Sequence, residues 1–245
     1  MADMAVAPIG TVSGEGGGGN GRLAMLAADG PEAEAYRTLR TYLRFDPRLG
    51  MGSSGRAVLL ADAGGVPDRA AAVANLAVAF ARSGERTIIV DADLRGAGTG
   101  TDAGAAGAHR VSVSGMFGQT GAGAGLATVL DTPEPGRTIV LPLVETGVTN
   151  LLLLPTGPRV ANPADLLGAD AFAVLVAALR AQADIVLFDA PPVADFADAR
   201  AIAARVDATL LLVAQGITRR PAAQAALAAL HQVGAAVLGV VLMEA

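Results

Sequence analysis

Lysine is missing from this 245-residue sequence, so all eighteen residues in its Lys+Arg count are arginine. Cysteine is missing too, which excludes a disulfide framework and a thiolate metal site. The two histidines, His109 and His231, lie far apart in sequence, so a histidine-based metal centre is not expected. Aromatic residues make up 3% of a chain that is 52% hydrophobic, so its core must be built from Ala, Val, Leu and Ile. No apolar run reaches the roughly 18–20 residues that cross a bilayer. The N-terminus also lacks the charged-then-apolar order of a signal peptide. A cytoplasmic protein with no direct membrane insertion is therefore expected. The formal net charge of −5 gives no support for nucleic acid as a partner.

What is present reads as one α/β domain, since a chain of this length can bury a single sizeable core. Residues 1–30 are glycine-rich and without periodicity, as in a flexible tail, and the ordered domain is expected over 31–245. Residues 32–44 have helical spacing, with Ala35, Leu39 and Leu43 on one stripe. Short apolar runs at 57–60, 87–90, 151–154, 185–188, 209–213 and 237–242 suit strands buried on both faces. Helical segments are expected at 70–82, stopped by Gly84, and at 169–182 and 221–233. The alternation predicts a doubly wound, mainly parallel sheet. Residues 96–125 read as a long Gly-, Ala-, Ser- and Thr-rich loop.

The first strand runs through Asp62, Gly64, Gly65, Asp68, Arg69, Ala70 and Ala71 into an apolar helix interrupted by Asn75. That is the layout of a phosphate-binding loop, whose chemistry needs a Lys for the β/γ-phosphates and a Ser/Thr hydroxyl for Mg²⁺. Arg69, Ala70 and Ala71 stand in those places. Asp68 holds a position where glycine lets backbone N–H groups wrap phosphate. A carboxylate there repels phosphate by about 4 kcal/mol per unit charge at ~4 Å and an effective dielectric of ~20. The planar fork of Arg69 is not interchangeable with a lysine point charge. Compositional bias accounts for arginine at 69 as well as selection at the site does. It accounts less well for the missing hydroxyls, because Ser and Thr occur elsewhere.

Ligands of a parallel sheet bind beyond the carboxyl ends of its strands. The 62–69 loop, Asp91 with Asp93, and Asp189 all fall at such ends. Carboxylates there are where Mg²⁺ and an attacking hydroxyl would be managed in phosphoryl transfer. The bland alternative is that they cap the following segments or sit solvated.

In this order and spacing the motifs resemble the cytoplasmic domain of bacterial tyrosine kinases (BY-kinases) of capsule and exopolysaccharide synthesis. These belong to the deviant-Walker P-loop NTPases, the ParA/MinD-like group. The resemblance spans residues 31–242. It is carried by Ile88-Ile89-Val90-Asp91-Ala92-Asp93-Leu94-Arg95, by Ile185-Val186-Leu187-Phe188-Asp189-Ala190-Pro191-Pro192-Val193 with Asp198, and by Asn162-Pro163-Ala164-Asp165-Leu166-Leu167. It implies ATP and Mg²⁺ as cofactors, with Gly64, Gly65, Asp68, Arg69, Ala70 and Ala71 at the nucleotide. It also implies Asp91, Asp93 and Asp189 as catalytic residues, with Asp91 and Asp189 at the metal.

Glu34, Arg37 and Arg40 fit the family's ExxRxxR pattern, which implies a homo-oligomer assembled through that helix. On spacing alone a solvated, self-paired helix face is the favoured explanation, and the resemblance reverses that preference. The family's C-terminal tyrosine cluster has no counterpart at 240–245. The two tyrosines, Tyr36 and Tyr42, fall in the first helix, where packing is expected. The family's transmembrane activator, a polysaccharide co-polymerase, would have to be a separate partner. Three functions are left open. The first is a BY-kinase-like regulator with impaired nucleotide hydrolysis, and the second a non-catalytic scaffold for a competent relative. The third is a ParA/MinD-type partitioning ATPase, whose signature early Lys is missing.

Overall fold

The computed structural model describes residues 8–13, 30–49, 55–96, 101–102, 110–119, 123–131 and 139–244. Its strands are β1 (Pro8–Ser13), β2 (Arg56–Asp62), β3 (Thr87–Asp91), β4 (Thr101–Asp102), β5 (Arg110–Val111), β6 (Val144–Glu145), β7 (Leu151–Leu154), β8 (Ile185–Asp189), β9 (Ala208–Ala214) and β10 (Val237–Glu244). Its helices are α1 (Pro31–Phe45), α2 (Arg69–Arg82), α3 (Val113–Met116), α4 (Leu126–Asp131), α5 (Pro163–Gly168), α6 (Asp170–Gln182), α7 (Asp198–Ala203) and α8 (Arg220–Gln232).

Among the described residues, eight strands form one sheet in the order β1-β10-β9-β2-β8-β3-β7-β6, parallel throughout except where β6 meets β7. Side chains alternate across a strand, and both faces of this sheet are covered. Val58, Leu60, Ile89, Leu187 and Leu210 face a layer that includes α1 and α2. Ala57, Leu59, Ile88, Val90, Val186 and Phe188 face the layer of α4 to α8. Burial on two sides is why the strands read as continuous apolar runs. The doubly wound, mainly parallel sheet expected from the sequence is the fold observed.

Helix α2 lies between α1 and the sheet and is buried from Arg69 to Ala81. Its apolar composition all round is what a helix without a solvent face requires. Gly84 ends it in the left-handed region, φ 92°, with its N–H bonded to the Ala81 carbonyl. Helix α1 opens with Pro31, Glu32 and Glu34, which suit a helix N-terminus. It buries Ala33, Tyr36, Leu39 and Leu43.

Three expectations need correction. The expected flexible tail includes a strand: Pro8–Ser13 pairs with β10, whose outer backbone edge would otherwise be unpaired. The rest of that segment, 1–7 and 14–29, lies outside the described residues. The expected 96–125 loop contains the β4–β5 pair and α3, and α4 begins just beyond it. Tyr36 is packed as expected, but Tyr42 is 56% exposed, because the buried stripe of α1 runs 33-36-39-43 and position 42 falls outside it.

Candidate functional site

The carboxyl ends of β2, β3 and β8 lie side by side, because Asp91 and Asp189 are direct partners in the β3–β8 register and Leu60 is opposite Asp189. Sequence reasoning placed Asp91, Asp93 and Asp189 at one site, and the fold brings them together. Asp91 and Asp189 have no solvent exposure, and Asp93 has 1%.

Asp62 shapes the loop after β2. Its Oδ1 accepts from the N–H groups of Gly64 (2.6 Å) and Val66 (3.3 Å), folding the chain back on itself. Gly64 (φ 123°) and Gly65 (φ 73°) then turn the backbone through conformations that other side chains rarely take. Asp68 also adopts the left-handed conformation, φ 52°, which Asp tolerates better than most residues. Its carbonyl accepts the first α2 hydrogen bond, from Ala72 N–H at 3.0 Å. A tight, glycine-turned loop therefore leads from β2 into α2.

Its cation is already committed. Arg69, the first residue of α2, is 5% exposed and turns back under the loop into the aspartates. Its Nε donates to Asp189 Oδ1 at 2.7 Å and its Nη2 to Asp189 Oδ2 at 3.3 Å. The same Nη2 donates to Asp93 Oδ2 at 3.0 Å. Asp91 instead accepts from the backbone N–H of Ser114 (2.9 Å) and of Asp93 (3.3 Å). Burial raises the Asp91 carboxyl above its ordinary range, against donation from Ser114. Burial also pushes Asp189 up to about 7, with Arg69 opposing and the Asp91 and Asp93 charges adding to the rise.

Further groups stand around this centre. Asp198, with no exposure, takes a two-bonded guanidinium from Arg95 (2.9 and 2.8 Å), and that guanidinium lies 4.1 Å from the Phe196 ring centroid. The pair ties the segment after β3 to the start of α7. The Glu32 carboxyl is raised by partial burial and by the charge of Asp68, so two acids stand near the loop mouth. The roles of Asp62, Glu32, Arg95 and Ser114 were missed in the sequence. Only an Asp two residues before a Gly, at Asp62, carried a local signal.

These residues do not fit Mg·ATP in the manner of a working P-loop. Both oxygens of Asp189 and Oδ2 of Asp93 are engaged by Arg69, Ala70 and Ala71 carry no hydroxyl, and Asp68 adds negative charge where phosphate would approach. With Arg69 in place, no group of three or more His, Cys, Asp or Glu side chains is arranged to hold a metal among the described residues.

The other candidates lie further along α1, past the N-terminal turn that carries Glu32. Arg37 pairs with Glu34 on the surface of α1 at 3.0 Å. Arg40 leans inward, and its Nη1 donates to the Ala79 carbonyl of α2 at 3.2 Å. Among the described residues no helix is long and apolar enough to cross a membrane.

No family model matches the chain. It is 28% identical over 220 residues to tyrosine-protein kinase YwqD of Bacillus subtilis, covering 90% of this chain and 84% of that one. It is 26% identical to tyrosine-protein kinase wzc of Salmonella typhi, covering 89% of this chain but 28% of that one. Among solved structures, the kinase domain of Escherichia coli tyrosine kinase ETK superposes with a TM-score of 0.77 at 22% identity, over 98% and 90% of the two chains. The BceF tyrosine kinase domain gives 0.71 at 25% identity, over 91% and 81%. The septum site-determining protein MinD of Pyrococcus horikoshii, complexed with Mg-ADP, gives 0.57 at 20% identity, over 77% and 70%.

Proposed function

As a relative of bacterial tyrosine-protein kinases with the P-loop fold of their kinase domains, we propose, this chain serves capsular or exopolysaccharide synthesis with impaired nucleotide hydrolysis. The observation that carries the impairment is the Arg69 guanidinium, bonded to Asp189 and Asp93 where the nucleotide's metal would be handled. In this reading the protein works at the cytoplasmic face of the membrane, through a transmembrane co-polymerase partner. Gly64, Gly65, Asp68, Arg69, Ala70 and Ala71 retain the loop's shape. Asp91, Asp93 and Asp189 remain the residues on which any residual turnover depends. Calorimetric titration with Mg·ATP and Mg·ADP, beside Asp189→Ala, tests the reading. Absence of heat at millimolar nucleotide is expected. Micromolar binding that disappears in Asp189→Ala would overturn it.

A second reading, a non-catalytic assembly partner for a competent relative, draws support from α1. Its surface carries the exposed Tyr42 and Phe45 beside the Glu34–Arg37 pair. Loss of co-assembly in Glu34→Ala/Arg37→Ala, with unchanged thermal stability, is the expected result. Co-assembly at the wild-type level would count against it.

A further inference from the structure

We propose that Arg69 is a permanent internal cation, substituting for a divalent metal and holding the loops after β2, β3 and β8 together without any ligand. This rests on the impaired-site reading and says what took the ligand's place.

The geometry is that of substitution rather than of a vacant site. Mg²⁺ sits about 2.0–2.1 Å from its oxygen ligands and keeps several waters. Arg69 nitrogens stand 2.7 Å from Asp189 Oδ1 and 3.0 Å from Asp93 Oδ2. An ion placed between these oxygens at its usual distance would overlap the guanidinium. Metal and Arg69 are therefore mutually exclusive at these two carboxylates. The planar fork reaches two acids from one side chain and never loses its charge. A lysine point charge could not bridge them in the same way.

The charge pattern agrees. Asp91, Asp93 and Asp189 are all buried, and Arg69 is the guanidinium bonded among them. Arg95, which could have added a second charge, is committed to Asp198. Without Arg69 the site would hold three buried carboxylates, an arrangement that calls for another cation.

The consequence is conformational. In P-loop switches, bound phosphate and Mg²⁺ order the neighbouring loops, and loss of the phosphate releases them. Here a side chain at the start of α2 reaches Asp189 at the end of β8 and Asp93 just after β3. The Arg95–Asp198 pair extends the tie from β3 to α7. The three loops are thus held in one arrangement by covalently attached groups, and nucleotide turnover has no grip on them.

The test is Mn²⁺ binding without nucleotide, followed by thermal unfolding and by the Mn²⁺ electron-spin signal, in wild type, Arg69→Ala and Arg69→Ala/Asp189→Asn. Wild type should show no Mn²⁺ response. Arg69→Ala should unfold earlier in chelator and regain stability as Mn²⁺ rises, and the double variant should lose that response. Should Arg69→Ala fail to fold in chelator, it is produced with Mn²⁺ present. Folded protein obtained only with Mn²⁺ supports the substitution, and failure to fold with Mn²⁺ in both Arg69→Ala and Arg69→Gln overturns it. Mn²⁺ taken up by wild type and lost in Asp189→Asn would also overturn it, as would an Arg69→Ala protein indifferent to metal. The two readings can fail separately. ATP hydrolysis by a wild type that ignores Mn²⁺ alone defeats the impaired site, not the internal cation. Mn²⁺ uptake by a wild type that ignores ATP does the reverse.

Discussion

Replacing Arg69 by methionine keeps an apolar stem of similar length but removes the guanidinium from between Asp189 and Asp93, both buried. Breaking a buried ion pair from one side costs about 3–5 kcal/mol, because the remaining charge is left without compensation. The cost depends on pH, and its sign can be worked out. In the wild type Asp189 is raised from 3.8 to about 7, first by burial, with Arg69 pulling the other way. Between those values the folded state holds a proton that the unfolded chain has released. Stability therefore falls as pH rises through the window, by on the order of 4 kcal/mol over its width, and levels off above it. Without Arg69 the opposing pull is gone, so the proton is held to higher pH and the decline continues past neutrality. The gap from wild type should narrow near about pH 5, where the Asp189 carboxyl is protonated in both and only the Asp93 contact is lost, and widen near about pH 8. Urea unfolding followed by circular dichroism across that range measures the difference. Adding Asp189→Asn should recover part of the loss at high pH, because the neutral amide needs no counter-charge. A difference that is the same at both ends of the range, or below about 1 kcal/mol throughout, would refute the argument.

Two other substitutions probe how the site is supported. Asp198→Ala leaves Arg95 without its buried partner, though with the Phe196 face and partial solvent, so a loss of about 1–3 kcal/mol is expected. Amide exchange at residues 93–96 should quicken, and unchanged protection there would mean that the pair does not hold the segment. Gly55→Ala would put a methyl group against the backbone carbonyls of Ala183 and Arg180, which cannot move aside cheaply. A loss of about 1–3 kcal/mol in urea unfolding is expected, and a neutral result would show that this turn is looser than its packing implies.

The architecture was legible because each central strand is buried on both faces. Residues 185–188 and 209–213 therefore appear as apolar runs that little else explains, and the helices between them are long enough to show their period. The elements missed were those whose stability comes from neighbours. Strand β6 has two residues and exists only by pairing with β7. Strand β1 is written in a glycine-rich segment and is placed by the outer edge of β10. Helix α3 has four residues and reaches the site through a backbone N–H, donated by Ser114 to Asp91. A backbone donor leaves no trace in residue identity.

The site was half legible, and the unread half bears on how its acids are interpreted. Arg69, Ala70 and Ala71 stand where a phosphate-binding loop carries its Lys and hydroxyls. Asp91, Asp93 and Asp189 in register looked like the opposite sign, a catalytic centre still in place. The two observations conflict only while the aspartates are assumed to need a metal. Once Arg69 is bonded to Asp189 and Asp93, those two acids have a structural reason to be present, because changing either to an apolar residue would strip a buried guanidinium of one of its carboxylates. Asp91 has a separate reason, since it accepts the N–H groups of Asp93 and Ser114 and so positions the segment that carries Asp93. Intact acidic motifs at strand ends are therefore weak evidence of turnover in this chain. The informative residue is the cation at position 69, and which carboxylates it binds could be learned only from the fold.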